Sequence, residues 1–325
     1  MKAIVIGKPG EPEVLKIEER STPEIGKDDV LIKVRAAGVN RPDIAQRKGQ
    51  YPAPEGVPKD IPGLEVSGWV EDFGENVKSW EIGDKVCALL AGGGYAEYVC
   101  APQEQCLTIP EGISLEEAAS LPETYFTVWN NVFKIGNFKK NEIVLVHGGS
   151  SGIGVAAIQM IKAMDGQVIA TAGSGEKCET CMDLGASLAI NYEKQDFESA
   201  IKTHLKDKKI DIILDMVGGK YTQKNIRLLG QKGRLLMINA MENRMGEVDL
   251  LRIMSKELVI TGSTLRPQSR DYKGQIATRL MAIIWPLFPD KIQPVVHTAF
   301  PLAEAAEAHR LMESSQHIGK ILLLV

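Results

Sequence analysis

Long apolar runs are missing from the 325-residue sequence: none reaches the roughly 18 residues that a membrane-spanning helix needs, which excludes a helical membrane protein. Cysteine is scarce. The five residues Cys87, Cys100, Cys106, Cys178 and Cys181 are odd in number and thinly spread, which argues for free thiols in a reducing compartment. Cys178 and Cys181 form a C-x-x-C pair after a strand pattern, where a redox role is conceivable. No second pair lies near enough to complete a four-cysteine zinc site, and two helix-borne thiols without function are expected. An excess of one charge is lacking too. The formal net charge of −4 gives no global drive toward nucleic acid or anionic membranes. There are no internal repeats and no low-complexity tracts. Met1 to Ile6 enter a strand pattern rather than a signal-peptide core, so a cytoplasmic protein is expected.

What remains is an ordinary globular composition, 44% hydrophobic and 25% charged, in a chain long enough for two domains. Residues 1–120 carry many short β-prone runs, among them Lys2 to Ile6, Val30 to Ala36, Val66 to Phe73 and Lys85 to Leu90. Turn formers such as Pro9-Gly10 and Gly92-Gly-Gly94 separate them, as in a barrel or sandwich. Ser114-Leu-Glu-Glu117 is a capping-box pattern that opens a helix, and Thr127 to Phe133 is expected to form another. In the second segment, 121–265, strands and helices then alternate, which predicts a parallel doubly wound sheet. In the third, 266–325, an amphipathic helix from about Asp271 to Leu287 precedes a last strand, Lys320 to Val325. That strand is expected to return to the first domain, because an isolated strand needs a sheet to join.

The most informative stretch is Ile143 to Ile161. A buried strand, Ile143 to Val146, meets a loop of glycine and serine, Gly148 to Gly154, and then a helix pattern. Free N–H groups and the helix dipole at such a junction favour an anion, so a dinucleotide phosphate is expected against Ser150, Gly152 and Ile153. Ser151 stands where a full glycine fingerprint has glycine, which makes its hydroxyl a candidate for the nicotinamide side. The next strand ends at Ala172-Gly-Ser-Gly-Glu-Lys177. No acid stands at the end of the strand, where an NAD enzyme binds the ribose 2′-OH. Ser174 and Lys177 instead suit a 2′-phosphate, with Gly173 beside them, so NADPH is the expected cofactor. Tyr192 is placed to cover the adenine. Val217 and Asn239 follow later strands at the carboxyl edge, where ligands of such sheets bind.

Four further segments carry a family resemblance: Ala37-Gly-Val-Asn-Arg-Pro-Asp43, Pro62-Gly-Leu-Glu-Val-Ser-Gly68, Gly83-Asp-Lys-Val86 and Gly93-Gly-Tyr-Ala-Glu-Tyr98. With the dinucleotide turn they make the chain resemble the medium-chain dehydrogenase/reductase superfamily over its whole length. Zinc alcohol dehydrogenases of that superfamily have cysteine where Asn40 stands and histidine where Leu64 stands. They also have a cysteine-rich structural loop that is absent here. Glu65 alone cannot fill a site needing three protein ligands. The chain is therefore similar to the zinc-free, zeta-crystallin-like quinone oxidoreductase branch, nearest its p53-inducible NADPH:quinone oxidoreductase type. The run Asn40 to Tyr51 is the most specific part of the match.

The resemblance implies an α/β protein with a GroES-like β-barrel catalytic domain, a Rossmann domain and a cleft between them. It implies a homodimer joined near Leu258 to Leu265, no metal, and hydride transfer from NADPH to a quinone or enone. A quinone is already electrophilic, so the protein need only position it and offer a donor to the developing oxyanion. Asn40 and Tyr51 are the candidates for that, while Asp43 is expected to fix the loop through backbone N–H groups. The matching segment of the family places Lys320 or Gly319 near the cofactor, and Arg266 is expected to reach the cofactor or the dimer contact. His147 is expected to be a hydrogen-bonded core residue. The other function classes open to the sequence are an NADPH-dependent alkenal or enoyl reductase, and a non-catalytic NADPH-binding structural or RNA-binding protein. The lack of a basic face speaks against the last.

Overall fold

The computed structural model describes all 325 residues, and contacts divide the chain into two compact units. One unit is Met1–Phe126 with Arg266–Val325; the other is Thr127–Leu265. No helix is long and apolar enough to cross a membrane.

The first unit is mostly antiparallel sheet. Its strands are β1 (Lys2–Ile6), β2 (Leu15–Glu19), β3 (Asp29–Val39), β4 (Glu65–Phe73), β5 (Lys85–Leu89), β6 (Tyr98–Pro102) and β7 (Cys106–Thr108). Two later strands, β14 (Val296–Pro301) and β15 (Lys320–Leu324), join them. β1 and β2 pair with each other, and the remaining strands apart from β6 follow the order β14-β15-β3-β4-β5-β7. β3 organises this sheet. One of its edges pairs with β4, while the other is shared by β6, along Asp29 to Lys33, and β15, along Ala36 to Val39. Alternating inward residues such as Val30, Ile32, Val34, Val66, Val86 and Ile321 fill the core. The helices here are α1 (Arg41–Arg47), α2 (Leu115–Ala118), α3 (Pro122–Val128), α9 (Arg270–Ile283) and α10 (Ala305–Ser314). The capping box at Ser114 is formed, with the Glu117 N–H donating to the Ser114 hydroxyl. α9 stops short of the expected Leu287. Pro286 lacks the N–H that a continuing helix needs, and Trp285–Leu287 close as a 3₁₀ turn.

The second unit holds six parallel strands: β8 (Ile143–His147), β9 (Gln167–Ala172), β10 (Leu188–Asn191), β11 (Ile210–Asp215), β12 (Leu229–Met237) and β13 (Val259–Gly262). Their order is β10-β9-β8-β11-β12-β13. The direction of winding reverses between β8 and β11, the switch point at which ligands of doubly wound sheets bind. The helices are α4 (Gly152–Ala163), α5 (Gly175–Asp183), α6 (Phe197–Leu205), α7 (Lys220–Leu228) and α8 (Leu250–Lys256). The helix expected over Thr127 to Phe133 differs in form: α3 ends at Val128 and a π-helix, Trp129–Ile135, follows. α8 has no counterpart among the expected helices. It buries none of its residues, so no apolar period marks it in the sequence.

A buried polar chain ties the carboxyl ends of β8, β9 and β11 together. Asp215 accepts from the N–H groups of Val217 at 2.7 Å and Gly218 at 3.2 Å, and from Asn225 Nδ2 at 3.1 Å. Asn225 Oδ1 then faces His147 Nε2 at 2.8 Å, and His147 Nδ1 faces Thr171 Oγ1 at 3.0 Å. With the amide N–H turned to Asp215, Oδ1 can only accept. His147 therefore carries its proton on Nε2 and accepts from Thr171, as a neutral imidazole. Burial disfavours its protonated form and lowers its pKa. Asn225 is fully buried and serves both neighbours. Asn225→Ala leaves a buried carboxylate and an imidazole N–H unpaired. It is expected to cost about 2–3 kcal/mol, read as a lower melting temperature at pH 7.

Candidate functional site

In the second unit the glycine loop forms an anion cradle at the start of α4. Ser151 is the N-cap, and its Oγ accepts from Gly154 N at 3.1 Å. The N–H groups of Gly152 and Ile153, in the first turn, have no acceptor. A Cβ at position 154 would meet Gly148 O at 2.3 Å and Gly149 C at 2.5 Å, so only glycine lets the helix start this close to the loop. The Ser150 side chain makes no hydrogen bond. Ser151 itself is not a loosely held hydroxyl. It caps α4 and lies 3.8 Å from the Met216 sulfur, so it has a structural task at the start of this helix.

The end of β9 repeats the arrangement on a smaller scale. Ser174 is the N-cap of α5 and accepts from Lys177 N at 3.2 Å, which leaves the Gly175 and Glu176 N–H groups without acceptors. Glu176 is exposed. Tyr192 is 42% exposed, with its hydroxyl against Gly173. Val217 N is held by Asp215, and the exposed Asn239 turns its Oδ1 onto Ala240 N at 2.8 Å. Cys178 and Cys181 are free thiols on α5.

In the first unit the candidates cluster around a buried ion pair. Lys320 Nζ lies 2.5 Å from Glu65 Oε1, with 4% and 0% of their side chains exposed. The ammonium also donates to Asn40 Oδ1 at 2.6 Å and Val39 O at 3.1 Å. The ammonium hydrogens of Lys320, for which the family segment implies a place near the cofactor, are thus engaged with Glu65, Asn40 and Val39 O within this unit. Asn40 is likewise committed. Its Oδ1 accepts from Lys320, and its Nδ2 donates to Glu65 Oε1 at 2.8 Å and Gly38 O at 3.3 Å, so no amide hydrogen is left for an acceptor molecule. Asp43 holds the loop as expected, accepting from Asn40 N, Gly63 N and the Tyr95 hydroxyl. Its burial pushes its pKa up to about 6 against these hydrogen bonds. Arg266 is also turned inward. It donates to Ala91 O at 2.7 Å and Gln46 Oε1 at 2.7 Å, and its guanidinium lies over the Tyr51 ring at 5.1 Å. The Tyr51 hydroxyl has no partner. Of the two expected donors, Tyr51 is the one still available.

One acid is absent from the candidates that the sequence offers. Glu123 opens α3, and its backbone N–H donates to Glu65 Oε2 at 2.8 Å. Its carboxyl is half-buried and accepts no hydrogen bond. Burial first, and then the nearby Glu65 carboxylate, push its pKa up to about 8. A signal for it exists in the sequence: an acid flanked by the largely apolar residues Leu121-Pro122 and Tyr125-Phe126.

A barrel-forming unit with a dinucleotide-type parallel sheet defines the medium-chain class of dehydrogenases and reductases. Residues 26–111 match the alcohol dehydrogenase GroES-like domain, and residues 152–281 match the family described as zinc-binding dehydrogenase. The quinone oxidoreductase of Rattus norvegicus is 33% identical over 331 residues, covering 100% of this chain and 98% of its own. The solved quinone oxidoreductase of Thermus thermophilus is 32% identical, with a TM-score of 0.85 and full coverage of both chains. That of Escherichia coli, complexed with NADPH, is 26% identical with a TM-score of 0.88, again over both full chains. The chain belongs to the quinone oxidoreductase branch of the medium-chain dehydrogenase/reductase superfamily.

Removing one partner of the buried pair strands the other charge. Glu65→Gln and Lys320→Met are each expected to destabilise by about 3–5 kcal/mol, whereas the double variant recovers most of that loss. Thermal melts of the four proteins give the cycle directly.

Proposed function

We propose that this protein reduces quinones, or similarly activated carbonyls, with NADPH and without a metal. The observation that carries the proposal is a contrast. The dinucleotide cradle is kept, but the positions that hold zinc in metal-dependent relatives are Asn40 and Leu64, with Lys320 pressed against the one remaining acid. A fixed ammonium beside Glu65 repels a cation, and no group of three His, Cys, Asp or Glu side chains is arranged to hold one.

The residues present suit NADPH. The free N–H groups of Gly152 and Ile153, with Ser150, would hold the pyrophosphate. Ser174, Lys177 and the open start of α5 would hold the 2′-phosphate, and no acid at the end of β9 opposes it. Tyr192 would cover the adenine, and Val217 and Asn239 would line the path toward the nicotinamide. Bound there, NADPH supplies a hydride. Two quinone oxidoreductases of this fold were solved with NADPH, which supports the assignment. On the acceptor side, Tyr51 offers a hydroxyl to the oxygen that gains negative charge. Relatives named quinone oxidoreductases along the full chain support a quinone as that acceptor.

A homodimer is the accompanying proposal. β13 is a sheet edge with Val259 49% exposed, and Leu250, Leu251 and Met254 beside it in sequence are also exposed. A second copy would cover this edge.

Two experiments follow. NADPH oxidation should proceed with ortho- and para-quinones at a rate unchanged by a chelator, and Lys177→Ala should reduce the preference for NADPH over NADH by about tenfold. Absence of turnover with every conjugated acceptor, or its loss on chelation, contradicts the proposal. Val259→Lys should convert a dimer to a monomer in sedimentation or light scattering, and a wild-type monomer contradicts the second proposal.

A further inference from the structure

Thr171, near the end of β9, holds the glycine loop of the second unit by two bonds. Its carbonyl accepts from Gly149 N at 2.9 Å, and its hydroxyl oxygen accepts from Gly148 N at 3.4 Å. The loop is closely packed elsewhere. Gly148 O accepts from Ser151 N at 2.9 Å, which closes the turn that ends in the N-cap of α4. A Cβ at Gly148 would come within 2.8 Å of the Met216 sulfur, and one at Gly149 within 2.9 Å of the Cys181 sulfur. The unengaged N–H groups of Gly152 and Ile153 therefore stand where this segment puts them, and Thr171 bonds the segment directly.

A hydroxyl accepts well from Gly148 N–H only when its own hydrogen is spent elsewhere. Here its direction is imposed from β11. Asp215 receives N–H donors on both oxygens, Val217 and Gly218 on Oδ1 and Asn225 Nδ2 on Oδ2. The Asn225 amide then turns its oxygen to His147 Nε2 at 2.8 Å, which fixes the proton on Nε2. His147 Nδ1 takes the Thr171 hydrogen at 3.0 Å, and the lone pairs of the hydroxyl are left for Gly148 N–H. The opposite tautomer would donate to that oxygen, compete with Gly148 N–H for it, and leave the Thr171 hydrogen without an acceptor in the chain. All four side chains are buried, so bulk water does not replace a broken link.

We infer that Thr171 is a positioning residue for the cofactor's pyrophosphate, and that His147, through its tautomer, sets the polarity of the Thr171 hydroxyl. The inference rests on the NADPH site proposed above. The buried chain then does more than tie strand ends together. Across three side chains, the carboxylate of Asp215 fixes the direction of a hydrogen bond that holds the phosphate turn. In the Ser174 turn the Lys177 N–H is held by Ser174 Oγ instead, so the 2′-phosphate end of the site is expected to be spared when the chain is cut.

Calorimetric titration with two ligands separates this role from a general loss of structure. The ligands are NADPH and adenosine 2′-phosphate, a fragment that keeps the 2′-phosphate and lacks the pyrophosphate. Thr171→Val keeps the branched shape and removes the hydroxyl. It should weaken NADPH binding by about fivefold to tenfold and leave the fragment's affinity unchanged, and Thr171→Ser should restore NADPH affinity. In turnover with a quinone, Thr171→Val should raise KM for NADPH and leave kcat near the wild-type value. A second arm uses the wild type alone: nitrogen-15 spectra of the imidazole side chains should show His147 neutral and protonated at Nε2. A His147 protonated at Nδ1 overturns the inference whether or not any variant folds. So does a Thr171→Val protein that binds NADPH like the wild type, or one that loses NADPH and adenosine 2′-phosphate to the same degree. Each of these results leaves the NADPH site standing, whereas a wild type with no affinity for NADPH overturns both.

Discussion

The contact between Lys320 and Glu65 is the constraint on which the first unit depends. Burying two charges is costly, and the cost is offset only where geometry and hydrogen bonding are nearly complete. Here they are. The ammonium meets Glu65, Asn40 and Val39 O, and the carboxylate meets Lys320, Asn40 and the Glu123 N–H. β15 thereby joins the end of the chain to β3 and β4 not only through ladder bonds but through a charge that has nowhere else to go. The approach is close enough to restrict the neighbouring strand. A Cβ at Gly38 would come within 2.1 Å of Glu65 Oε1. The pair also sets what its neighbours can do: it consumes the Asn40 amide and orients the start of α3.

The second unit instead carries backbone N–H groups without acceptors at two helix starts. Two consecutive strand-to-helix turns, at Ser151 and Ser174, are built alike. In each, a serine caps the helix through its third N–H and leaves the first two for a ligand. The chain Asp215–Asn225–His147–Thr171 braces the strand ends on which those turns stand. Rigid turns of this kind bind an anion without ordering a loop at the moment of binding.

Much of this is legible in the sequence because it depends on local pattern. The alternation of strands and helices after residue 140, the glycine turn at Gly148 to Gly154 and the lack of an acid at the end of β9 are each read from stretches of about 30 residues. The loop role of Asp43 and the core role of His147 follow from position alone. What is not legible depends on long-range neighbours. Lys320 meets a residue 255 positions away. Nothing in its local segment separates a buried ion pair from a phosphate ligand. Asn40 reads as a free donor until Lys320 and Glu65 are in place around it, and Arg266 reads as a surface reach until Gln46 and Ala91 O accept from it. Ser151 reads as a flaw in a glycine pattern and is the N-cap that the pattern needs. α8 has no buried face to announce it, and the π-helix after α3 follows from packing rather than from local propensity.

The engaged Lys320–Glu65 pair in the first unit and the two serine-capped turns in the second are the observations on which the proposal of a metal-free, NADPH-dependent reduction rests. The most direct measurement of that claim is the transfer itself, in a single turnover of metal-depleted enzyme with NADPH deuterated at the reactive C4 position and one equivalent of quinone. Stoichiometric hydroquinone formation, slowed by the deuterium, is the expected result. No oxidation of the cofactor, or oxidation that appears only when zinc is restored, would contradict it.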